Sequence, residues 1–230
     1  GLGWIVVGGS GSSYTTEILS VSGSPYEYQV EVNQNSGCSA ASGVYQVTVV
    51  DDPTVTAAAT QDSICLGGTA ELTATIIGGT GAPHYQWWYN NNGTWEEVGP
   101  DAAVYQITGL GLGTYAYMVT INQDNGCESE SAVVTITVVG DPEIEVETDD
   151  GDLEICEGGT VTFTASAIGG AGTESYTWYY NDPGLGWIVV GGSGSSYTTE
   201  ILSVSGSPYE YQVEVNQNSG CSAASGVYQV

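Results

Sequence analysis

The sequence predicts an all-β chain of tandem β-sandwich domains, and three observations carry that prediction. Apolar and polar residues alternate with a period of two over many short stretches, the mark of half-buried strands. Turn signals rich in Gly and Asn separate these stretches at intervals of about 8 to 12 residues. No sustained 3.6-residue apolar period, which an amphipathic helix requires, occurs anywhere.

The strands follow in chain order through the stretch 52–140. Ala70, Leu72, Ala74 and Ile76 alternate with Thr69, Glu71, Thr73 and Thr75. Tyr85, Trp87 and Tyr89 form a second strand, and Val104 to Ile107 another. Tyr115, Tyr117, Val119 and Ile121 alternate with Ala116, Met118 and Thr120, and Val134, Ile136 and Val138 with Thr135 and Thr137. Between them stand Gly67-Gly68, Gly78-Gly79, Asn92-Gly93, Gly109 to Gly113 and Asn125-Gly126. About seven strands in about 90 residues is the count of an immunoglobulin-like sandwich. The stretch 141–230 repeats the pattern with Val161, Phe163 and Ala165, then Trp178, then Tyr209, Tyr211, Val213 and Val215.

Two periods organise the chain. Gly1 to Val47 returns letter for letter as Gly184 to Val230, an offset of 183 residues. Within it, ICLGGTAELTA from Ile64 matches ICEGGTVTFTA from Ile155, YQWWY from Tyr85 matches YTWYY from Tyr176, and the turn around Cys127 matches that around Cys221. Asp52-Pro53 and Asp141-Pro142 open the two units. The expected domains are therefore 1–51, the C-terminal half of a unit; 52–140, a complete unit; and 141–230, a unit lacking only its last few residues. On this reading both ends of the chain are cuts in a longer array.

Trp87 and Trp178 fall where a sandwich places its central indole. Tyr115 and Tyr209 fall near the start of the penultimate strand, where a hydroxyl can tie down a loop. Trp88 and Tyr179 point the opposite way in the alternation, toward solvent or toward a neighbouring domain. With Trp187 they are candidates for inter-domain or lateral contact.

Five cysteines are expected to form one bridge per unit, Cys65 with Cys127 and Cys156 with Cys221, with Cys38 the equivalent of Cys221 and its partner upstream. Such a bridge, closing a loop of about 60 residues, stabilises by about 4 kcal/mol on the chain-entropy model. It also places the chain outside the cytosol. One cysteine pair per unit with a lone His84 is too few soft ligands for a structural metal site.

The charge excludes whole classes of function. There is no Lys or Arg against 27 Asp plus Glu, a net charge of −27. Nucleic-acid phosphate needs clustered cations, and so does an anionic membrane surface. No apolar run approaches a membrane span. Without Lys, Arg or a second His there is no general-base constellation or Schiff-base lysine, and no enzyme is expected. Cofactors are likewise expected to be none, calcium aside.

The succession C-x-G-G-T-x-x-x-T-A, Y-x-W-x-Y, G-C-x-x-x-S and a closing T-V-V resembles the immunoglobulin-like (PKD-like) repeats of giant cell-surface proteins of Bacteroidota, among them type IX-secreted gliding adhesins. The resemblance covers both units, although typical members do not lack Lys and Arg. It implies a secreted, surface-attached bacterial protein with a stalk or adhesin role.

Three surface features remain. Asp149, Asp150, Asp152 and Glu154, and the junction Asp51-Asp52, are either a Ca²⁺ site, which favours clustered carboxylates, or a solvated acidic face. Asn92-Gly93-Thr94 is an N-glycosylation sequon, and Asp62-Ser63-Ile64 resembles a short bacterial O-glycosylation signal at Ser63. The leading expectation is a structural segment of an extracellular filament or stalk whose partners are further copies of the same repeat. The alternative is an adhesive module that binds glycans through aromatics such as Trp95 and Trp187.

Overall fold

A computed structural model describes residues 3–149, 151, 153–191 and 194–230. It is an all-β protein, and each sheet draws its strands from one of the stretches 1–51, 52–140 and 141–230.

The first stretch carries a 3₁₀ turn at Val21–Gly23 and four short strands, β1 (Tyr26–Tyr28), β2 (Glu31–Asn33), β3 (Ser39–Ala41) and β4 (Tyr45–Val47). They form two small sheets, β1 with β4 and β2 with β3.

The second stretch is a complete two-sheet sandwich. Its strands are β5 (Thr54–Ala59), β6 (Ser63–Cys65), β7 (Thr69–Ile77), β8 (Pro83–Asn91), β9 (Thr94–Val98), β10 (Val104–Thr108), β11 (Gly113–Gln123), β12 (Glu128–Glu130) and β13 (Val134–Val139). One sheet has the order β10-β7-β5, and the other β6-β13-β11-β8-β9 with β12 on β11. The turn between β8 and β9 puts Asn92 at φ 52° and Gly93 at φ 95°, the left-handed pair that a two-residue hairpin demands. β6 runs parallel to β13, with Ile64 opposite Val138 and Cys65 opposite Val139. This is the immunoglobulin-like arrangement, in which the first strand leaves one sheet and joins the other.

The third stretch repeats the plan with β14 (Glu143–Thr148), β15 (Thr162–Ile168), β16 (Glu174–Asp182), β17 (Gly186–Gly191), β18 (Ser196–Thr198), β19 (Glu210–Gln217), β20 (Ser222–Ala224) and β21 (Tyr228–Gln229), and a 3₁₀ turn at Val204–Gly206. Its sheets are β14-β15-β18 and β17-β16-β19-β20, with β21 also on β19.

The alternation read in the sequence becomes burial. Leu72, Trp87, Val119 and Ile136 are shut from solvent in one core, and Val161, Phe163, Trp178, Val213 and Val215 in the other. Each indole also satisfies its polar end. Trp87 Nε1–H donates to the Ala102 carbonyl at 3.0 Å and Trp178 Nε1–H to that of Gly194 at 3.2 Å. The Tyr115 hydroxyl donates to the Gly111 carbonyl at 3.1 Å and the Tyr209 hydroxyl to that of Ser203 at 3.2 Å, each tying the loop before its strand. Burial first, and neighbouring tyrosines second, hold the Tyr117 and Tyr211 phenols well above their ordinary range.

Candidate functional site

The notable chemistry lies where one unit meets the next. β13 ends at Val139, and only Gly140-Asp141-Pro142 separates it from β14. Pro142 is buried and its nitrogen carries no hydrogen, so the linker has little slack. The parallel pairing with β13 carries Cys65 to this same end of its unit. Leu66 N–H donates to the Val139 carbonyl at 2.9 Å, and Cys65 Sγ lies 3.7 Å from the Gly140 carbonyl oxygen.

From the other side comes the turn between β19 and β20. Gln217 N–H donates to the Cys221 carbonyl at 2.8 Å and Gly220 N–H to that of Gln217 at 3.0 Å. The preceding loop braces this turn. The Gln217 side-chain carbonyl accepts from Ala171 N–H at 2.7 Å, and Asn218 Oδ1 accepts from Thr173 N–H at 2.8 Å. Gly170 sits at φ 68°, and a side chain there would collide with the Gln217 amide, which is why the loop needs glycine at this point.

The two sides are joined covalently. Cys65 and Cys221 form a disulfide with Cα atoms 5.1 Å apart, across a sequence separation of 156 residues. Beside it, Gln61 Nε2–H donates to the Asn218 carbonyl at 3.1 Å, and Ser222 N–H donates to Asp141 Oδ1 at 3.2 Å. Gly68 lies against the junction. A β-carbon there would meet the Cys65 carbonyl at 2.9 Å and the Ser219 carbonyl at 3.4 Å.

This bond corrects the expected pairing of Cys65 with Cys127 and of Cys156 with Cys221. Cys127 is a buried free thiol, and Cys156 and Cys38 are exposed free thiols. The reason is geometric. Cys65 lies level with Val139, one pair beyond the Val138–Gly113 pair, whereas Cys127 follows the far end of β11 at Gln123. Ten residues of strand span about 33 Å, and a disulfide tolerates a Cα separation of at most about 7 Å. The two cysteines of one unit occupy opposite ends of it. Sequence spacing missed this because a linear pattern does not say at which end of a sandwich each cysteine falls. The sequence marks Asp141 and Gly68 only as a unit opening and a turn, and Ser219 not at all; the recurring Asp-Pro and Cys-x-Gly-Gly pairs were the available signal for their place at the junction.

Cys65, Asp141 and Cys221 also bring their ligand atoms within 4.8 Å of one another. A metal there would need two thiolates, and the disulfide consumes both sulfurs.

The remaining candidates lie apart from the junction. Trp88 Nε1–H donates to Thr120 Oγ1 at 2.9 Å, and the Tyr179 hydroxyl to Glu214 Oε2 at 3.1 Å, each on the outer face of its own sheet. Trp187 is 42% exposed on the hairpin strand β17. Asp51 and Asp52 are exposed, Asp149 Oδ1 accepts from Thr162 N–H at 3.0 Å, and Glu154 is exposed. Asp150 and Asp152 lie outside the described residues. Asn92 is exposed at its turn, and Ser63 is half-buried in β6 opposite Thr137. His84 bridges Asp101 at 3.0 Å and Asp124 at 3.1 Å. These carboxylates, Asp101 first, raise the imidazole above its usual range.

No family model and no curated protein matches the chain. Several solved structures align with it. The fibronectin(III)-like modules of Clostridium thermocellum CbhA align over 76% of this chain and 91% of theirs, at 16% identity and a TM-score of 0.42. A Ca²⁺-stabilised, ice-binding adhesin of an Antarctic bacterium aligns over 88% and 55%, at 19% identity and 0.43. Three N-terminal domains of the outer capsid protein Hoc of bacteriophage RB49 align over 92% and 78%, at 12% identity and 0.49. At these identities and scores the likeness carries no argument about function, and the fold assignment rests on the strand order and register above.

Proposed function

We propose that this chain is a load-bearing segment of an extracellular stalk or filament, made of immunoglobulin-like units stacked end to end and fastened at their junctions. The single observation that carries this reading is the Cys65–Cys221 bond, which links two successive sandwiches. A covalent tie between neighbours restricts the angle between successive sandwiches, which is what a stalk requires. The three-residue linker and the exact recurrence of Gly1–Val47 at an offset of 183 residues support the same reading, because a pair of units that recurs and is joined in the same way generates a regular path. Disulfides persist in oxidising surroundings, which supports a location outside the cytosol. The resemblance of the Cys-x-Gly-Gly and Trp landmarks to Bacteroidota surface repeats supports attachment to a bacterial cell surface. Partners are then further copies of the repeat.

Electron cryomicroscopy of the native assembly, sheared from its source, tests the proposal. Filaments with an axial period of one or two sandwich lengths are expected. Unordered beads that retain glycans on an array would overturn it in favour of direct adhesion.

A further inference from the structure

The three thiols outside the Cys65–Cys221 bond, Cys38, Cys127 and Cys156, are not spare. The geometry points to a second kind of staple, Cys156 of a unit like 141–230 bonded to Cys127 of a unit like 52–140 that follows it, so that every junction of the array is closed covalently by another copy of the repeat. The inference rests on the stacked reading above and extends it to a junction that the chain contains only as two separated halves.

Both halves already have the backbone of the formed staple. On the exit side, Gly68 N–H donates to the Cys65 carbonyl at 2.8 Å, and Gly159 N–H donates to the Cys156 carbonyl at 2.9 Å in the same tight turn. On the entry side, Gln217 N–H donates to Cys221 O and Gly220 N–H to Gln217 O at 2.8 and 3.0 Å. Gln123 N–H to Cys127 O and Gly126 N–H to Gln123 O match them at 2.7 and 2.8 Å, and Gln34 with Cys38 and Gly37 at 2.8 and 2.9 Å. The surroundings differ: Cys65 lies in the strand β6, whereas Cys156 lies in none, and on the entry side Cys127 is buried like Cys221 while Cys38 is exposed. Cys65 has a neighbour seated on it and is buried, whereas Cys156 is exposed beside an open cleft lined by Ile155, Leu202, Val204 and Tyr209. That cleft lies at the exit end of its unit, where the next unit enters.

Geometry also removes the competing pairing. Cys156 and Cys221 occupy opposite ends of one unit, as Cys65 and Cys127 do. Each exit cysteine can therefore reach only the entry cysteine of its successor. Because the two kinds of unit alternate, the exit sequence ICLGG is always bonded to the entry sequence NSGCSAA, and ICEGG always to DNGCESE. Cys38, in a turn identical to that of Cys221, is the entry half of the first kind. Closing each staple converts two thiols to one disulfide. Two electrons and two protons pass to a disulfide donor, which leaves as two thiols. In the cell the donor is a dithiol oxidoreductase in its disulfide form, and in the test it is oxidised glutathione.

The test compares the 230-residue chain with the same chain lengthened at its C-terminus by the missing last residues of its unit and one further copy of 52–140. Cys38→Ser and Cys127→Ser in the original part of both remove peptides that would otherwise be identical. Each protein is equilibrated with oxidised glutathione, denatured, alkylated, cut with a Glu-specific protease and mapped by mass spectrometry. In the shorter chain the Cys65 peptide is expected bonded to the Cys221 peptide, with Cys156 alkylated or carrying glutathione. In the lengthened chain the Cys156 peptide is expected bonded to the new DNGCESE peptide, with its alkylation falling at least tenfold. Cys156 still open to modification there, or bonded to Cys221, overturns the inference. Absence of the Cys65–Cys221 bond from the shorter chain would instead overturn the stacked reading itself.

Discussion

Ser225 shows how much one small side chain does in this fold. The strand that closes the sheet breaks between β20 and β21, leaving the neighbouring strand β19 with an unpaired donor at Val213. Ser225 Oγ accepts that N–H at 3.1 Å and donates onward to the Gly226 carbonyl at 2.8 Å. Ser131 does the same for Val119 at 3.0 Å, and Ser42 for Val30 at 3.1 Å. Val213 is fully buried, so Ser225→Ala strands a polar hydrogen away from water. A loss of about 1 to 3 kcal/mol is expected for the unit 141–230 in urea unfolding; a loss under about 0.5 kcal/mol, the level of an ordinary surface change, would show that the hydroxyl is dispensable. The serine was visible in the sequence only as the last letter of the G-C-x-x-x-S pattern. Its role was not, because a hydrogen bond across two strands depends on register. The core indoles Trp87 and Trp178 were legible for the opposite reason: alternation alone fixes the face of a strand, and their neighbours fix the rest.

The same letters give two different elements in this chain. Gly1 to Val47 and Gly184 to Val230 are identical, yet the eight-residue strand β19 corresponds to two separate three-residue strands, β1 and β2. Val213 and Val215 are 0% exposed, whereas Val30 and Val32 are 55% and 56% exposed. The difference is supplied by β14, β15 and β16, which cover one copy, whereas among the described residues β1 to β4 form only two small two-stranded sheets over the other. Strand formation here is a tertiary effect, in which a pleated face becomes stable when something packs on it. Strand positions could be read from the sequence because alternation is local, but their burial could not, because it depends on residues elsewhere. Hydrogen exchange makes the contrast measurable. Peptides shared by the two copies have the same mass, so each should show two isotope envelopes, one exchanging fast and one protected. A single envelope would mean that the first stretch finds cover of its own.

At the scale of the whole molecule, charge opposes what packing builds. The net charge of −27 has no Lys or Arg to offset it, and among the described residues the ion pairs are those of His84 with Asp101 and Asp124. Self-repulsion of this kind is long-ranged and screened by salt, with a Debye length of about 30 Å at 0.01 M and about 3 Å at 1 M. The thermal midpoint of the chain is therefore expected to rise with sodium chloride across that range. Calcium at equal ionic strength separates screening from binding. A midpoint raised further by calcium, and lowered again by a chelator, would assign the acidic face around Asp149 and Glu154 to the ion; an identical midpoint leaves it a solvated surface. A midpoint that ignores salt altogether would mean that the carboxylates are spaced widely enough for water to insulate them.

The bond between Cys65 and Cys221 alters what happens when such a molecule is pulled. Tension applied at the two ends travels along the backbone to Cys65, crosses one sulfur–sulfur bond, and continues from Cys221. The 156 residues of intervening sequence are taken out of the load path. At roughly 3.5 Å per extended residue, about 540 Å of contour length is thereby withheld, and stays withheld even if both sandwiches come apart. A rope of ordinary domains lengthens as each one yields. Here the give is set by the runs of chain outside the staple, residues 1–64 and 222–230.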